Sequence, residues 1–164
     1  KTTVREIVKI AGVAQGTFYL YFQSKNQVLY MILEKVVGDI NNILNSLDTE
    51  DPRFDDLDQI IDLIVEYMKQ NPISITILHN SKITEIMNMN KGEESVGFLL
   101  TGIEEWILNA GNKCLIDKKE PNLYSKIIFQ MTHEILESAF LFGYPDTIEV
   151  IQKEIKQIIR NILR

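Results

Sequence analysis

Residues 2–33 read TTVREIVKIAGVAQGTFYLYFQSKNQVLYMIL, which predicts two short helices, a tight turn between them and the start of a third helix. Thr3 and Glu6 have the spacing of a capping box, in which a threonine hydroxyl caps the helix and a glutamate reaches back. Gly12 predicts the end of the first helix, because glycine adopts left-handed backbone angles without a Cβ clash. Ser24 and Gln27 repeat the capping-box spacing, so we expect the third helix to begin beside them.

The second short helix has an aromatic inner face. Phe18 and Phe22 lie four residues apart and therefore project from the same side of a helix. Its other faces carry Gln15, Thr17, Tyr19 and Tyr21. Two brief helices around a glycine turn are typical of the helix-turn-helix motif, whose second helix lies in the major groove of DNA.

The motif residues resemble the N-terminal module of the tetracycline-repressor (TetR) family of bacterial regulators. The matching positions are Ala11-Gly12-Val13, Gly16-Thr17, Tyr19, Tyr21-Phe22 and Ser24-Lys25. The family has a further helix before this motif, whereas the sequence begins at Lys1. We therefore expect residues 1–35 to form a reading module that is incomplete at its N-terminus. Residues 36–164 are then expected to form a helical domain for ligand binding and dimerisation.

The resemblance implies DNA contacts at Thr3, Gln15, Gly16, Thr17, Tyr19, Tyr21 and Lys25. The residue types suit this role, because glutamine and threonine can hydrogen-bond base edges or phosphates and a lysine can pair with a phosphate. A glycine lets the backbone approach the DNA closely. Two alternatives remain open: Thr3 only caps its helix, and one of the tyrosines only packs.

The charge of the chain is unevenly distributed. The formal net charge is −6. Residues 1–35 carry five basic and two acidic residues, whereas the remainder carries 12 basic and 21 acidic residues. A basic end on an acidic body fits a DNA-facing tip, although an acidic body also serves solubility alone.

Composition and periodicity predict an all-α protein. Hydrophobic residues make up 45% of the chain, and apolar residues recur at helical spacing with little strand-like alternation. After the two helices of the helix-turn-helix motif, we expect further helices at about 25–47, 54–70, 72–89, 93–112, 121–142 and 145–163, with a bend near residues 79–81. No apolar run reaches the roughly 18 residues of a membrane span, and no secretory signal is visible, so we expect a cytoplasmic protein without membrane contact. The single cysteine, Cys114, is expected to be a semi-buried packing residue, with an oxidant sensor as the alternative.

The last two helices predict a dimer interface. Both are apolar over more than one side, which indicates burial on two sides and a second chain as the cover. We expect interface contacts from Ile128, Ile135, Phe140, Ile151, Ile155 and Ile158. The alternative is that these residues fill a core within one chain.

The middle helices are expected to hold an effector pocket. Its candidate lining residues are Tyr67, Met87, Phe98, Trp106, Met131 and His133, with ordinary core packing as the alternative for each. The two histidines, His79 and His133, have no companions at metal-ligand spacing in the sequence, so we expect neither a metal nor a cofactor. No catalytic constellation is visible, and we expect no enzyme activity.

The sequence is therefore interpreted as an all-α homodimeric transcriptional regulator with an N-terminal helix-turn-helix module and a C-terminal helical bundle, in two layers. The resemblance implies a repressor that binds a near-palindromic operator as a dimer and is released by a small-molecule effector. The competing interpretation is a helical small-molecule-binding or carrier protein that does not act on DNA. A salt-dependent shift of promoter DNA would separate the two.

Overall fold

The computed structural model describes residues 2–80, 92–117 and 119–164. Within these ranges the chain is helical and no strand occurs, which confirms the all-α prediction. The helices are α1 (Val4–Ala11), α2 (Gln15–Tyr21), α3 (Lys25–Leu44), α4 (Phe54–Gln70), α5 (Pro72–Asn80), α6 (Gly92–Asn112), α7 (Pro121–Phe142) and α8 (Ile148–Leu163). The bend expected near residues 79–81 and the end of α5 expected near residue 89 extend beyond the described residues.

Two helix boundaries differ by three residues from the predicted ones. α3 ends at Leu44 rather than Leu47, because the chain tightens into a turn in which the Ser46 hydroxyl donates to the Ile43 carbonyl over 2.6 Å. α8 begins at Ile148 rather than Pro145. There the Asp146 carboxylate accepts from the backbone N–H of Thr147 over 2.7 Å, and such local bonds compete with helix formation.

The chain forms two compact units, residues 1–37 and 38–164. In the first unit α1 packs against α2, and Val8 and Phe18 are buried. α3 begins in the first unit and ends in the second. It is the helix that runs through the boundary between them.

The second unit is built on α6 and α7. These helices pack together, α8 packs on both α7 and α4, and α5 contacts α4 and α7. The most deeply buried side chains of this core include Trp106, Ile107, Leu136, Ile155 and Leu163. Among the described residues, no helix combines the length and apolar character needed to cross a membrane.

Within the single chain α8 buries one side, and its burial on a second side by another chain stays a prediction. Its buried residues are Ile148, Ile151, Ile155, Ile159 and Leu163, which follow one helical stripe. The flank beside this stripe joins α4 through polar contacts. Arg160 pairs with Asp55 and Asp58 at 3.0 and 2.6 Å, and Asp62 accepts from Lys156 and Gln152.

Cys114 is exposed and takes a left-handed backbone conformation with φ 58°. The expectation of a semi-buried packing residue is therefore wrong. The residue lies just after the end of α6, where its N–H donates to the Gly111 carbonyl over 3.2 Å.

Candidate nucleic-acid interface

α1 begins at the predicted capping box. The Thr3 hydroxyl oxygen accepts from the Glu6 N–H at 3.3 Å, and the Thr3 N–H donates to the Glu6 carboxylate at 2.7 Å. The hydrogen bond from the Thr3 backbone is the main reason that the pKa of Glu6 lies below its ordinary value. Because the Thr3 hydroxyl also donates to Glu6 over 2.9 Å, its hydrogen is already engaged in the cap. The capping role of Thr3 is confirmed, and its contact with DNA stays a prediction.

The turn between α1 and α2 is closed by Gly12. Its φ of 70° and ψ of 24° lie in the left-handed region, and its N–H donates to the Val8 carbonyl. The next N–H, of Val13, donates to the same carbonyl over 3.0 Å. Both bonds satisfy the end of α1, as the glycine predicted.

α2 is held by one buried side chain. Phe18 is 5% exposed, and its ring lies 5.3 Å from the ring of Phe22, measured between centroids. The remaining six residues of α2 are all exposed, namely Gln15, Gly16, Thr17, Tyr19, Leu20 and Tyr21. Five of these six are the residues of α2 for which the sequence predicts DNA contacts.

The helical period orders these exposed residues around Phe18. At 3.6 residues per turn, Gly16 and Leu20 lie on the side opposite the buried ring. Gln15 and Tyr19 form one flank at an i, i+4 spacing, and Thr17 and Tyr21 form the other. Leu20 is 80% exposed and was missed by the sequence reasoning, although its position opposite Phe18 is visible in the sequence. An exposed apolar side chain on the outer edge of a reading helix suits a thymine methyl group.

Lys25 lies at the first position of α3 and is half-buried. Its ammonium donates to the backbone carbonyl of Thr2 over 2.9 Å and so ties the start of α3 to the segment before α1. Two of its three donors remain for a phosphate oxygen. The cap beside it differs in detail from the predicted box: the Ser24 hydroxyl accepts from Gln27, but the Gln27 side chain accepts from the Gln23 N–H rather than from Ser24.

The predicted pocket residues have distinct surroundings in the second unit. Trp106 is fully buried with its ring 5.8 Å from that of Phe54. Tyr67 donates its hydroxyl to Asp39 over 3.1 Å. Burial and this bond raise the pKa of Tyr67 to about 12. Met131 is half-buried, whereas Met87 and the side chain of Phe98 lie outside the described part of the chain.

His133 does have companions, which corrects the expectation drawn from its spacing in the sequence. One turn of α7 brings ligand atoms of His133, Glu134 and Glu137 within 4.8 Å of one another. His79 joins them from α5, since its Nδ1 lies 3.1 Å from a carboxylate oxygen of Glu137. The separation of 58 residues between His79 and Glu137 hides this contact from sequence reasoning.

The predicted interface residues divide into two groups. Ile128, Ile151 and Ile155 are 6%, 7% and 1% exposed within the single chain, so they fill its own core and present little surface to a partner. Ile135 and Phe140 are half-buried, and Ile158 is 38% exposed. The exposed apolar residues that the prediction omitted on α7 and α8 are Leu123, Ile127, Phe142 and Val150.

Comparison with known proteins finds two similarities. The model of the bacterial regulatory proteins of the tetR family matches residues 1–30, which contain α1, α2 and the start of α3. The chain is also 29% identical over 169 residues to the uncharacterized HTH-type transcriptional regulator YvdT of Bacillus subtilis (strain 168). That alignment covers 99% of this chain and 85% of the relative. Together with the capped helix pair and its exposed second helix, the two matches support a DNA-binding transcriptional regulator similar to those of the tetR family.

Proposed function

We propose that the protein is a repressor that binds a near-palindromic operator as a homodimer and leaves it when a small molecule binds the unit of residues 38–164. The observation that carries the proposal is the arrangement of α2. One buried phenylalanine fixes the helix, and its polar and aromatic residues are free to meet base edges. Gln15, Thr17 and Tyr19 are the proposed base-reading residues, with Tyr21 and Lys25 on the DNA backbone and Gly16 at the closest approach.

The exposed apolar residues of α7 and α8 support the homodimer. Leu123, Ile127 and Phe142 are 52%, 42% and 65% exposed on α7, and Ile158 is exposed on α8. α7 therefore has apolar residues on two sides, one of which faces its own core. A second copy of the same surface would cover these residues, as in an isologous four-helix interface.

Unpaired buried polar atoms support a ligand site in the second unit. Among the described residues, Asn41 Oδ1, Trp106 Nε1, Thr132 Oγ1 and His133 Nε2 are buried without a hydrogen-bond partner. Leaving such a group unpaired costs roughly 1–3 kcal/mol, which a ligand with matching polar groups would recover. The effector we propose is therefore a mainly apolar molecule with a few hydrogen-bonding groups.

α3 supplies a route from the ligand to the DNA. Its 20 residues span about 30 Å. Lys25 lies at its start, and Asp39, which accepts from Tyr67, lies near its end. A ligand that moves the end of α3 would change the placement of the reading elements. Linkage then requires that operator DNA weaken ligand binding by the same factor by which the ligand weakens operator binding.

The proposal is tested by selecting binding sites for the purified protein from random-sequence DNA. We expect a two-fold symmetric site with half-sites about 34 Å apart or a multiple of that distance. A promoter that contains the selected site should be transcribed less in the presence of the protein. Recovery of a single asymmetric half-site would contradict the dimeric operator, and increased transcription would contradict the repressor role.

A further inference from the structure

Four potential metal ligands converge between α5 and α7. His133, Glu134 and Glu137 lie on one turn of α7, with ligand atoms within 4.8 Å of one another. His79 of α5 places its Nδ1 3.1 Å from Glu137 Oε2. His133 Nδ1 lies 3.6 Å from Glu134 Oε1. Glu137 is the shared centre of this histidine–glutamate cluster.

The burial of the cluster distinguishes it from a solvated surface group. The Glu137 and His133 side chains are 11% and 18% exposed. A carboxylate buried to this extent is stabilised by a paired charge, by hydrogen bonds or by a metal ion. The cluster thus combines a poorly hydrated carboxylate with the imidazole rings of His79 and His133, which are potential metal ligands.

The distances fit coordination to a shared ion. Two ligands at about 2.0–2.1 Å from a tetrahedral ion are roughly 3.3–3.4 Å apart. The observed 3.1 Å between His79 and Glu137 and 3.6 Å between His133 and Glu134 lie on either side of that value. Glu134 is 62% exposed and accepts from Gln130, so it can adjust its position at small cost.

We propose that His79, His133, Glu134 and Glu137 form a binding site for a divalent transition-metal ion of the Zn²⁺ class. Two imidazole and two carboxylate ligands suit Zn²⁺, Co²⁺ or Ni²⁺, whereas Mg²⁺ and Ca²⁺ favour oxygen ligands alone. The site lies wholly within the unit of residues 38–164. It does not depend on the proposed operator, and it shares His133 with the candidate effector pocket.

The test is metal binding by the untagged protein in a Cys114→Ser background, because the exposed thiol of Cys114 would itself bind metal. Protein dialysed against a chelator is titrated with Zn²⁺ by calorimetry and with Co²⁺ by visible absorption. We expect one ion per chain. His133→Gln and Glu137→Gln should each weaken binding at least tenfold, and Glu105→Gln, an exposed carboxylate on α6, should leave it unchanged.

Circular dichroism of each variant separates loss of the site from loss of the fold. If Glu137→Gln does not fold, His79→Gln replaces it, since the His79 side chain is 40% exposed. The proposal is overturned if the folded parent binds no stoichiometric ion at submillimolar Zn²⁺. It is also overturned if His133→Gln and the Glu137 or His79 variant bind as tightly as the parent. DNA takes no part in the titration, so its result is independent of the proposed function.

Discussion

At the scale of single residues, Gly12 and Gly16 have opposite roles in the helix-turn-helix motif formed by α1 and α2. Gly12 has φ +70° and terminates α1, whereas Gly16 lies inside α2 with ordinary helical angles. A Cβ at either position meets no atom within 4 Å. The effect of an alanine at each position is therefore decided by backbone conformation rather than by a clash within the chain.

We predict that Gly12→Ala and Gly16→Ala change stability in opposite directions. Gly12→Ala should lower the free energy of unfolding by about 1–2 kcal/mol, the cost of a left-handed conformation in an L-residue. Gly16→Ala should raise it by about 0.5–1 kcal/mol, because alanine loses less entropy in a helix. The same Gly16→Ala should weaken operator binding if the backbone approaches the DNA there. Chemical denaturation and a DNA-binding titration measure the two effects, and unchanged operator affinity would remove Gly16 from the interface.

The raised pKa of Tyr67, caused by burial and by the hydrogen bond to Asp39, predicts that the folded state becomes less stable at high pH. The pKa of Tyr67 is about 12 in the folded protein, against an ordinary value of 10.0. A raised folded-state pKa means that the stabilisation is complete below about pH 10 and disappears as the pH rises towards 12. Two units correspond to about 2.7 kcal/mol, which solvent screening of this half-exposed phenol reduces to about 1 kcal/mol.

Tyr67→Phe is the matched control for this effect. The difference in unfolding free energy between parent and variant should shrink by about 1 kcal/mol between pH 10 and pH 12, as measured by urea denaturation at each pH. A constant difference across that range would show that the hydroxyl contributes no pH-dependent stability.

A contact between two residues is predictable from the sequence when the residues lie close together along the chain. The Thr3–Glu6 cap and the Gly12 turn are local, and both are present as predicted. The bonds from Lys25 to Thr2, Tyr67 to Asp39 and His79 to Glu137 join residues 23, 28 and 58 positions apart. Helical periodicity carries no information on which helices become neighbours, so these three bonds were not predictable.

At the scale of helices, α7 and α8 show where apolar periodicity misleads. Both are rich in isoleucine, yet α8 directs most of these residues into one buried stripe, whereas α7 leaves Leu123, Ile127 and Phe142 exposed. Counting apolar residues did not distinguish these cases, because a stripe and a two-sided pattern can have the same composition. The predicted interface residues Ile151 and Ile155 are consequently core residues of their own chain.

Two substitutions test the exposed face of α7 and the buried stripe of α8 separately. Ile127→Glu alters a residue that is 42% exposed, so we expect the parent to sediment as a dimer and this variant as a folded monomer. Ile155→Glu places a charge at a site that is 1% exposed, so we expect loss of the folded state instead. A dimer that persists in folded Ile127→Glu would remove this face of α7 from the interface.

At the scale of the whole molecule, the charge distribution follows the division of the chain. The basic excess lies in residues 1–35, and the acidic excess lies in the remainder. Neutralisation of phosphates by the first unit should make DNA affinity fall as salt rises, while the acidic body limits non-specific binding elsewhere. The helix-turn-helix motif and the all-helical character of the second unit were predictable from the sequence. The surroundings of the candidate effector residues were not, because they depend on contacts between distant helices.

We propose above all that α2 reads the operator sequence. This role is tested most directly by fluorescence anisotropy titrations of the selected operator and a scrambled duplex across a NaCl series, for the parent and for Gln15→Ala. We predict that the parent prefers the operator and that log affinity falls linearly with log salt. Gln15→Ala should lose roughly 1–3 kcal/mol of operator binding with little change on the scrambled duplex. Equal affinity of the parent for both duplexes, or full discrimination retained by Gln15→Ala, would contradict a sequence-reading role of α2.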